Sequence, residues 1–333
     1  MPNDAIASPS SLPVPQPRRR VARAILGKKP ATVALRGSVI LAVLFAGYFG
    51  VVGNLMNRVD ANPDFAPTEA PEAGSAAVAM AAALIRRETV DHRWSVNDPA
   101  FFPTAFHDNM PNFQNGVLRG VSRFVMALES QIGRTRGSSA IDANLGRAVG
   151  LLQYPSDVWM FDFRQSMFPV SPSDQQYRAA LEALEAYNAR VAQGGAVFER
   201  RTDTFALTLQ AMAAELGART AEVDEHLRRE SFIIDGRTDD IFYFNKGQVY
   251  ASYLLLREMG RDFEAVISQQ GLTGVYDQAL DSLRTAASQR PLVVLNAAGD
   301  DSIFANHLYL QGFYIKRAIL QLDEVSRVLS VSR

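Results

Sequence analysis

From Gly37 to Asn57 the chain reads GSVILAVLFAGYFGVVGNLMN, an uncharged run bracketed by Arg36 and Arg58. A helix rises about 1.5 Å per residue, so about 20 residues cross a hydrocarbon core about 30 Å thick. Lipid offers no partner to backbone polar groups, which forces such a segment to be helical. The run has no polar stripe, unlike the half-buried helix of a soluble protein. It is longer than the apolar part of a signal peptide, about 7–15 residues, and no small-x-small site follows it. The expectation is an uncleaved anchor, with the lipid bilayer as partner of residues 37–57.

The flanks give the direction. Arg18, Arg19, Arg20, Arg23, Lys28, Lys29 and Arg36 precede the run against a single acid, Asp4, while Asp60, Asp64, Glu69 and Glu72 follow it. Basic flanks stay in the cytoplasm. The sequence therefore predicts a single-pass inner-membrane protein with residues 1–36 as a disordered basic cytoplasmic tail and its C-terminal domain in the periplasm. Ala42, Ala46 and Gly50 recur every four residues, with Asn54 next, a small-residue row of the kind that lets two helices approach. That row suggests a homo-oligomer or an envelope protein partner.

Charge and cysteine content narrow the function. Of the 34 Lys and Arg, eight lie in residues 1–58, against one of the 35 Asp and Glu; the remainder carries 26 against 34, a net −8. An acidic domain does not hold phosphate backbones, so nucleic acid is not an expected partner. The absence of cysteine rules out disulfides, thiol chemistry and Cys-held clusters.

Residues 58–74 carry Pro63, Pro67 and Pro71 at intervals of four. They read as a Pro/Ala-rich spacer, reaching roughly 50 Å at about 3.1 Å per residue when fully extended, enough to hold a domain off the membrane. Helical periodicity dominates 75–333. Ala76 to Ile85 is one helix. Phe113, Val117, Val121, Phe124, Leu128 and Ile132 form an apolar stripe, with Pro111 in the first turn and Gly133 past the end. Ser173 and Gln176 have the spacing of a capping box, and Gly194–Gly195 stop the helix that follows. Asp203 can cap a helix that Gly217 ends or breaks. Asp239 and Asp240 load the start of another. Shorter helices span 261–270 and 273–288, and a long one 302–330. Pro291 to Leu295 is the best strand-like run. The fold class is all-α: a transmembrane helix followed by one extracytoplasmic domain of about eight to ten helices.

Two stretches carry a family resemblance: Trp94-Ser-Val-Asn-Asp-Pro99, continuing through Phe101-Phe102-Pro103 to Asp108-Asn-Met-Pro-Asn-Phe-Gln114, and Leu184-Glu-Ala-Tyr-Asn188. With the N-terminal anchor they resemble the bacterial family called domain of unknown function 2333. The resemblance implies a membrane-anchored periplasmic domain and no particular activity.

Candidate chemistry is sparse. Ala127-Leu-Glu-Ser130, followed by Ala148-Val-Gly-Leu-Leu-Gln-Tyr154, is similar to the Glu-Ser and Gly-Leu-Met-Gln signature of lysozyme-like transglycosylases, which would make Glu129 a general acid. The gap from Glu129 to Gly150 is wider than in that pattern. Trp94, Asn97, Asp98, Asp108, Asn109 and Gln114, with Asn245 from a second aromatic and amide run, have the mixture a ligand pocket uses. The same residues also build turns and plug loops into cores. His92, His107, His226 and His307 are too dispersed for a metal site, and Asp235 to Asp240 lacks the spacing of a calcium loop. Neither metal nor cofactor is expected. The leading expectation is a periplasmic binding or scaffolding domain. The alternatives are a peptidoglycan-cleaving enzyme using Glu129, and an accessory subunit of an envelope complex held through its transmembrane helix.

Overall fold

A computed structural model describes residues 29–68, 71–137, 141–163, 166–228, 236–291 and 307–331. The basic residues up to Lys28, the run 292–295, Asp235 and the Asp300–Asp301 pair lie outside them. Among the described residues there are ten helices and no strand. The first, α1, is an α-helix over Lys29–Phe45, widens to a π-helix over Ala46–Val52, and closes with an α-turn over Gly53–Met56. The others are α2 (Ala76–Arg86), α3 (Asn109–Arg136), α4 (Ala143–Leu152), α5 (Ser173–Ala192), α6 (Thr202–Arg228), α7 (Gly236–Asp262), α8 (Glu264–Gln269), α9 (Thr273–Ser288) and α10 (His307–Val331).

The apolar stripe of α3 lies against α7 in the longest helix–helix interface, with α6, α9 and α10 packed together on one side and α2, α4 and α5 on the other. Phe113, Phe124, Tyr187, Phe205, Tyr250 and Phe263 are fully buried in one continuous core. Phe205 and Phe263 stack at 4.5 Å. Polar groups tie the helix ends into this core. Asp262, at the end of α7, accepts from the α2 amides of Ala76 (3.1 Å) and Ala77 (3.0 Å) and from Ser75 Oγ (2.7 Å). It thereby satisfies donors that a helix start leaves free.

Some boundaries differ from the sequence expectations. α3 runs on through Gly133 and ends at Gly137, whose φ of +87° suits a residue without a side chain. α6 passes through Gly217 unbroken. Ser173 does not form a capping box: Pro172 holds the cap position, and the Ser173 hydroxyl is taken by Pro155 O (2.7 Å) and the Val158 amide (3.0 Å).

The proline-rich segment behaves differently from a free spacer. Ala61 is buried, and Val59 and Phe65 pack against the core. The carbonyls of residues 60–65 are gripped from α7 and the end of α2. Arg87, 3% exposed, donates to Asp60 O and to the Tyr250 hydroxyl, and lies over the rings of Phe65 and Tyr250. Tyr250 Oη donates to Asn62 O at 2.9 Å. Arg257 donates to Pro63 O (2.7 Å) and Phe65 O (2.6 Å). Proline leaves carbonyls without a neighbouring helical donor, and these side chains supply the missing partners. The segment is a strap, at least from Val59 to Phe65.

The end of α1 is also held. Asn57 Oδ1 accepts from the Met110 amide at 2.8 Å, capping the start of α3 in place of Asp108, whose side chain caps nothing. His107 Nε2 sits 2.9 Å from Phe49 O, inside the π-helix. A π-turn opens the backbone ladder and presents such a carbonyl to a side chain. Gly53 is buried here, and a Cβ on it would stand 2.2 Å from Pro103 O.

Gly116 of α3 and Gly247 of α7 let these helices touch backbone to backbone. A Cβ would lie 2.0 Å from Phe244 O at Gly116 and 2.0 Å from Phe113 O at Gly247. Gly247→Ala should therefore destabilise the fold by about 3 kcal/mol, the upper part of the usual overpacking range. Gly150→Ala, inside α4 with open space around it, should hold or raise stability by up to about 1 kcal/mol. Thermal unfolding of the detergent-solubilised chain checks both; equal effects at the two positions would contradict the close crossing.

Candidate functional site

The face of α3 opposite its apolar stripe carries Asn115, Leu118, Arg119, Ser122, Arg123 and Met126. Their spacing of three and four places them on one side of the helix. They form one wall of a groove of about 630 Å³, within the range of ligand sites, roughly 300–1,000 Å³. Leu152, Gln153 and Tyr154 from the end of α4, Tyr177 from α5, Arg219 from α6 and Phe244 from α7 complete it.

Three guanidinium groups meet in this groove. Arg119 Nε donates to Glu215 Oε1 at 2.7 Å, and Arg123 Nε lies 3.1 Å from Glu215 Oε2. Gln248 Nε2 reaches the same carboxylate at 3.3 Å. Arg219 pairs with Glu222 at 2.6 Å and lies over the Phe244 ring at 5.3 Å. Three cations face two carboxylates, so the groove keeps net positive charge on an acidic body. Among the described residues Arg219 Nε and Gln248 Oε1 are buried with no hydrogen-bond partner, and the buried Arg123 Nε has only its ion pair with Glu215. Such atoms carry a desolvation cost of about 1–3 kcal/mol each until something pairs with them. Leu118, Met126, Leu152 and Phe244 give apolar wall, so the groove suits an anionic group on a partly apolar body.

None of the sequence-derived candidates lines this groove. Trp94 is buried, donates from Nε1 to Ser156 O at 3.1 Å and meets the Tyr177 ring edge-on at 5.2 Å. It thus braces Tyr177 and Ser156, which also lines the groove. Asn97 Nδ2 donates to Val158 O at 2.9 Å. Gln114 is fully buried, accepting from the Ser95 amide (2.9 Å) and hydroxyl (2.8 Å) and donating to Glu88 O and Arg93 O. Asp98 pairs with Arg93 and accepts from Thr104; burial raises its pKa, and these partners oppose the shift. Asn109 opens α3 beside Asp108. Asn245 is buried in α7 with Nδ2 unpaired.

Glu129 lines neither this groove nor a second one, about 790 Å³, between the strap residues Phe65, Thr68 and Pro71 and helices α2 and α5. Its Oε1 lies 3.5 Å from where a Cβ would stand on Gly146, and partial burial raises its pKa. That is a position between α3 and α4. The arginine groove left one signal in the sequence, the polar stripe on α3. The contributions of Glu215, Arg219 and Phe244 come from helices a hundred residues on, and no local spacing announces them.

Among the described residues, no cluster of three His, Asp or Glu side chains has the geometry to hold a metal. Comparison with known families places the chain. The bacterial family described as "Uncharacterized protein conserved in bacteria (DUF2333)" matches residues 31–235 and 233–331, and the chain belongs to it. Neither a curated protein nor a solved structure matches.

One acidic position has a measurable consequence. Burial, with Asp108 and Asp240 nearby, lifts Asp239 from 3.8 to about 6. A carboxyl raised in the fold binds its proton more tightly there than in the unfolded chain, so it adds stability as pH falls from about 6 towards 3.8. At neutral pH its charge opposes folding. Asp239→Asn should raise the melting temperature at neutral pH, and the gain should shrink well below pH 6; a gain independent of pH would contradict this assignment.

Proposed function

We propose that this chain is a single-pass protein of the bacterial inner membrane whose periplasmic helical domain binds an acidic segment of an envelope partner in the arginine groove. Thr32–Met56 spans 25 residues with mean hydropathy 2.1, and only 6% of its most apolar window is buried in the fold. Its uncharged part, residues 37–56, gives about 30 Å of mostly exposed apolar helix, stable in lipid and not in water. The basic flank before it and the acidic body after it support the outward orientation of the domain.

The observation that carries the binding reading is the convergence of Arg119, Arg123 and Arg219 on one groove, with Arg219 Nε buried and without a hydrogen-bond partner among the described residues. Guanidinium groups present planar forks that match carboxylates, and a site with apolar walls strengthens the match. Glu215 then acts as the internal stand-in that keeps Arg119 and Arg123 aligned while the groove is empty of a partner. The scaffold role follows from the strap and the held end of α1, which fix the groove relative to the membrane.

A photo-crosslinking residue at Gln153, exposed at the groove mouth, tests this in cells. It should trap a discrete partner, while the same residue at Glu324 on α10 should not. The triple variant Arg119→Gln, Arg123→Gln, Glu215→Gln removes the charges without stranding a buried carboxylate. It should cut the Gln153 adduct by about tenfold or more, as expected for lost charge pairs. An adduct of undiminished yield in the triple variant, or equal trapping from Glu324, would contradict the groove as the binding site.

A further inference from the structure

An aromatic surface extends outward from the end of α1. Tyr48 Oη donates to Phe101 O at 3.2 Å, and Phe106 meets Phe49 at 4.9 Å and Phe45 at 6.3 Å between ring centroids. Phe101 contacts Trp159 at 5.7 Å, and Trp159 contacts Phe161 at 5.4 Å. The loop that follows holds Phe163, Met167 and Phe168 at 71%, 82% and 78% exposure, with Phe101 and Phe106 at 61% and 68%. Large apolar side chains presented together at this exposure mark a contact surface.

The loop is built to present them. Its base is closed by Val170 N to Met160 O (2.9 Å) and Ser173 N to Val158 O (3.0 Å). Asn97 holds Val158 O from the domain side. Within the loop, Ser166 N donates to Asp162 O (3.1 Å) and Phe168 N to Ser166 Oγ (3.0 Å). These bonds satisfy several of its backbone groups internally, which a segment near hydrocarbon requires.

Depth decides what covers this surface. Twelve residue steps separate Arg36 from Tyr48, a rise of about 18 Å. With Arg36 at the inner boundary, about 12 Å of a hydrocarbon core about 30 Å thick still lies beyond Tyr48. Snorkelling of Arg36 by one turn recovers only about 5 Å. Residues 101–106, packed beside Phe45 to Gly53, therefore sit at bilayer depth and not above it. From these contacts we infer that Phe101, Phe106 and residues 159–163 and 166–168 form an aromatic collar immersed in the outer leaflet of the bilayer that α1 crosses. The inference rests on the membrane reading of α1. Trp159 is of the type enriched at a membrane interface, the phenylalanines offer apolar area to the acyl chains, and the collar gives the domain a second hold on the membrane. That hold fixes the tilt of the domain as well as its distance.

The chain has no cysteine, so single cysteines introduced at Phe163 or Met167 carry an environment-sensitive fluorophore uniquely. The full chain is reconstituted into phosphatidylethanolamine–phosphatidylglycerol vesicles containing acyl-chain nitroxide lipid, with labels at Val43 within α1 and Glu324 on α10 as references. The expected result is loss of most emission at Val43, Phe163 and Met167, and none at Glu324. Quenching at Val43 with Phe163 and Met167 behaving like Glu324 overturns the collar and leaves the anchor standing. No quenching at Val43 overturns the anchor and the collar together.

Discussion

Arg87 is buried where three parts of the chain meet, and its guanidinium has a partner in each. It reaches the strap at Asp60, the α7 hydroxyl of Tyr250, and the carboxylate of its neighbour Glu88 at 3.7 Å. Glu88 is itself fully buried, with His92 3.6 Å from its other oxygen. Removing a partner from such a pair strands a charge in low dielectric, at a cost of about 3–5 kcal/mol. The arrangement therefore stands or falls as a unit. It sits at the π-helical end of α2, where the widened turn places Arg87 and Glu88 side by side inside the fold.

What depends on it is the path from α1 to the groove. With residues 59–65 bound along α7, the chain leaving α1 cannot swing, and Asn57, His107 and Gly53 complete the junction from the other side. α7 carries Tyr250 and Arg257 on the strap, Gly247 at the crossing with α3, and Phe244 in the arginine groove. One helix thus connects the end of α1 and the arginine groove. A domain on a loose tether would sample many orientations, whereas this one is held in one orientation relative to α1.

Much of the fold was legible in the sequence because its signals are local. The uncharged run, the 3.6-residue stripe of α3 and the Gly194 stop each act over a few residues, and the all-α class follows from them. The strap was not legible. Prolines at intervals of four describe a stiff segment equally well whether it hangs free or lies on a surface, and the side chains that grip it are Arg87, Tyr250 and Arg257. The Ser173–Gln176 pair had the right spacing for a cap, but the hydroxyl was claimed by a loop residue 18 positions away, Pro155. Gly53 carries no local signal within the uncharged run, since the close approach it permits is to Pro103, 50 residues on. The groove was the least legible feature, since its charges are set by helix packing among α3, α6 and α7.

The account rests on rigid coupling between α1 and the domain. Spin labels on cysteines introduced at Leu55, exposed at the end of α1, and Arg327, exposed on α10, report it by double electron–electron resonance on the chain in nanodiscs. A narrow, single distance distribution is predicted, and it should broaden when Arg87→Ala and Arg257→Ala release the strap. A distribution already spread over tens of ångströms in the wild type, as a free spacer reaching roughly 50 Å would give, would contradict the account.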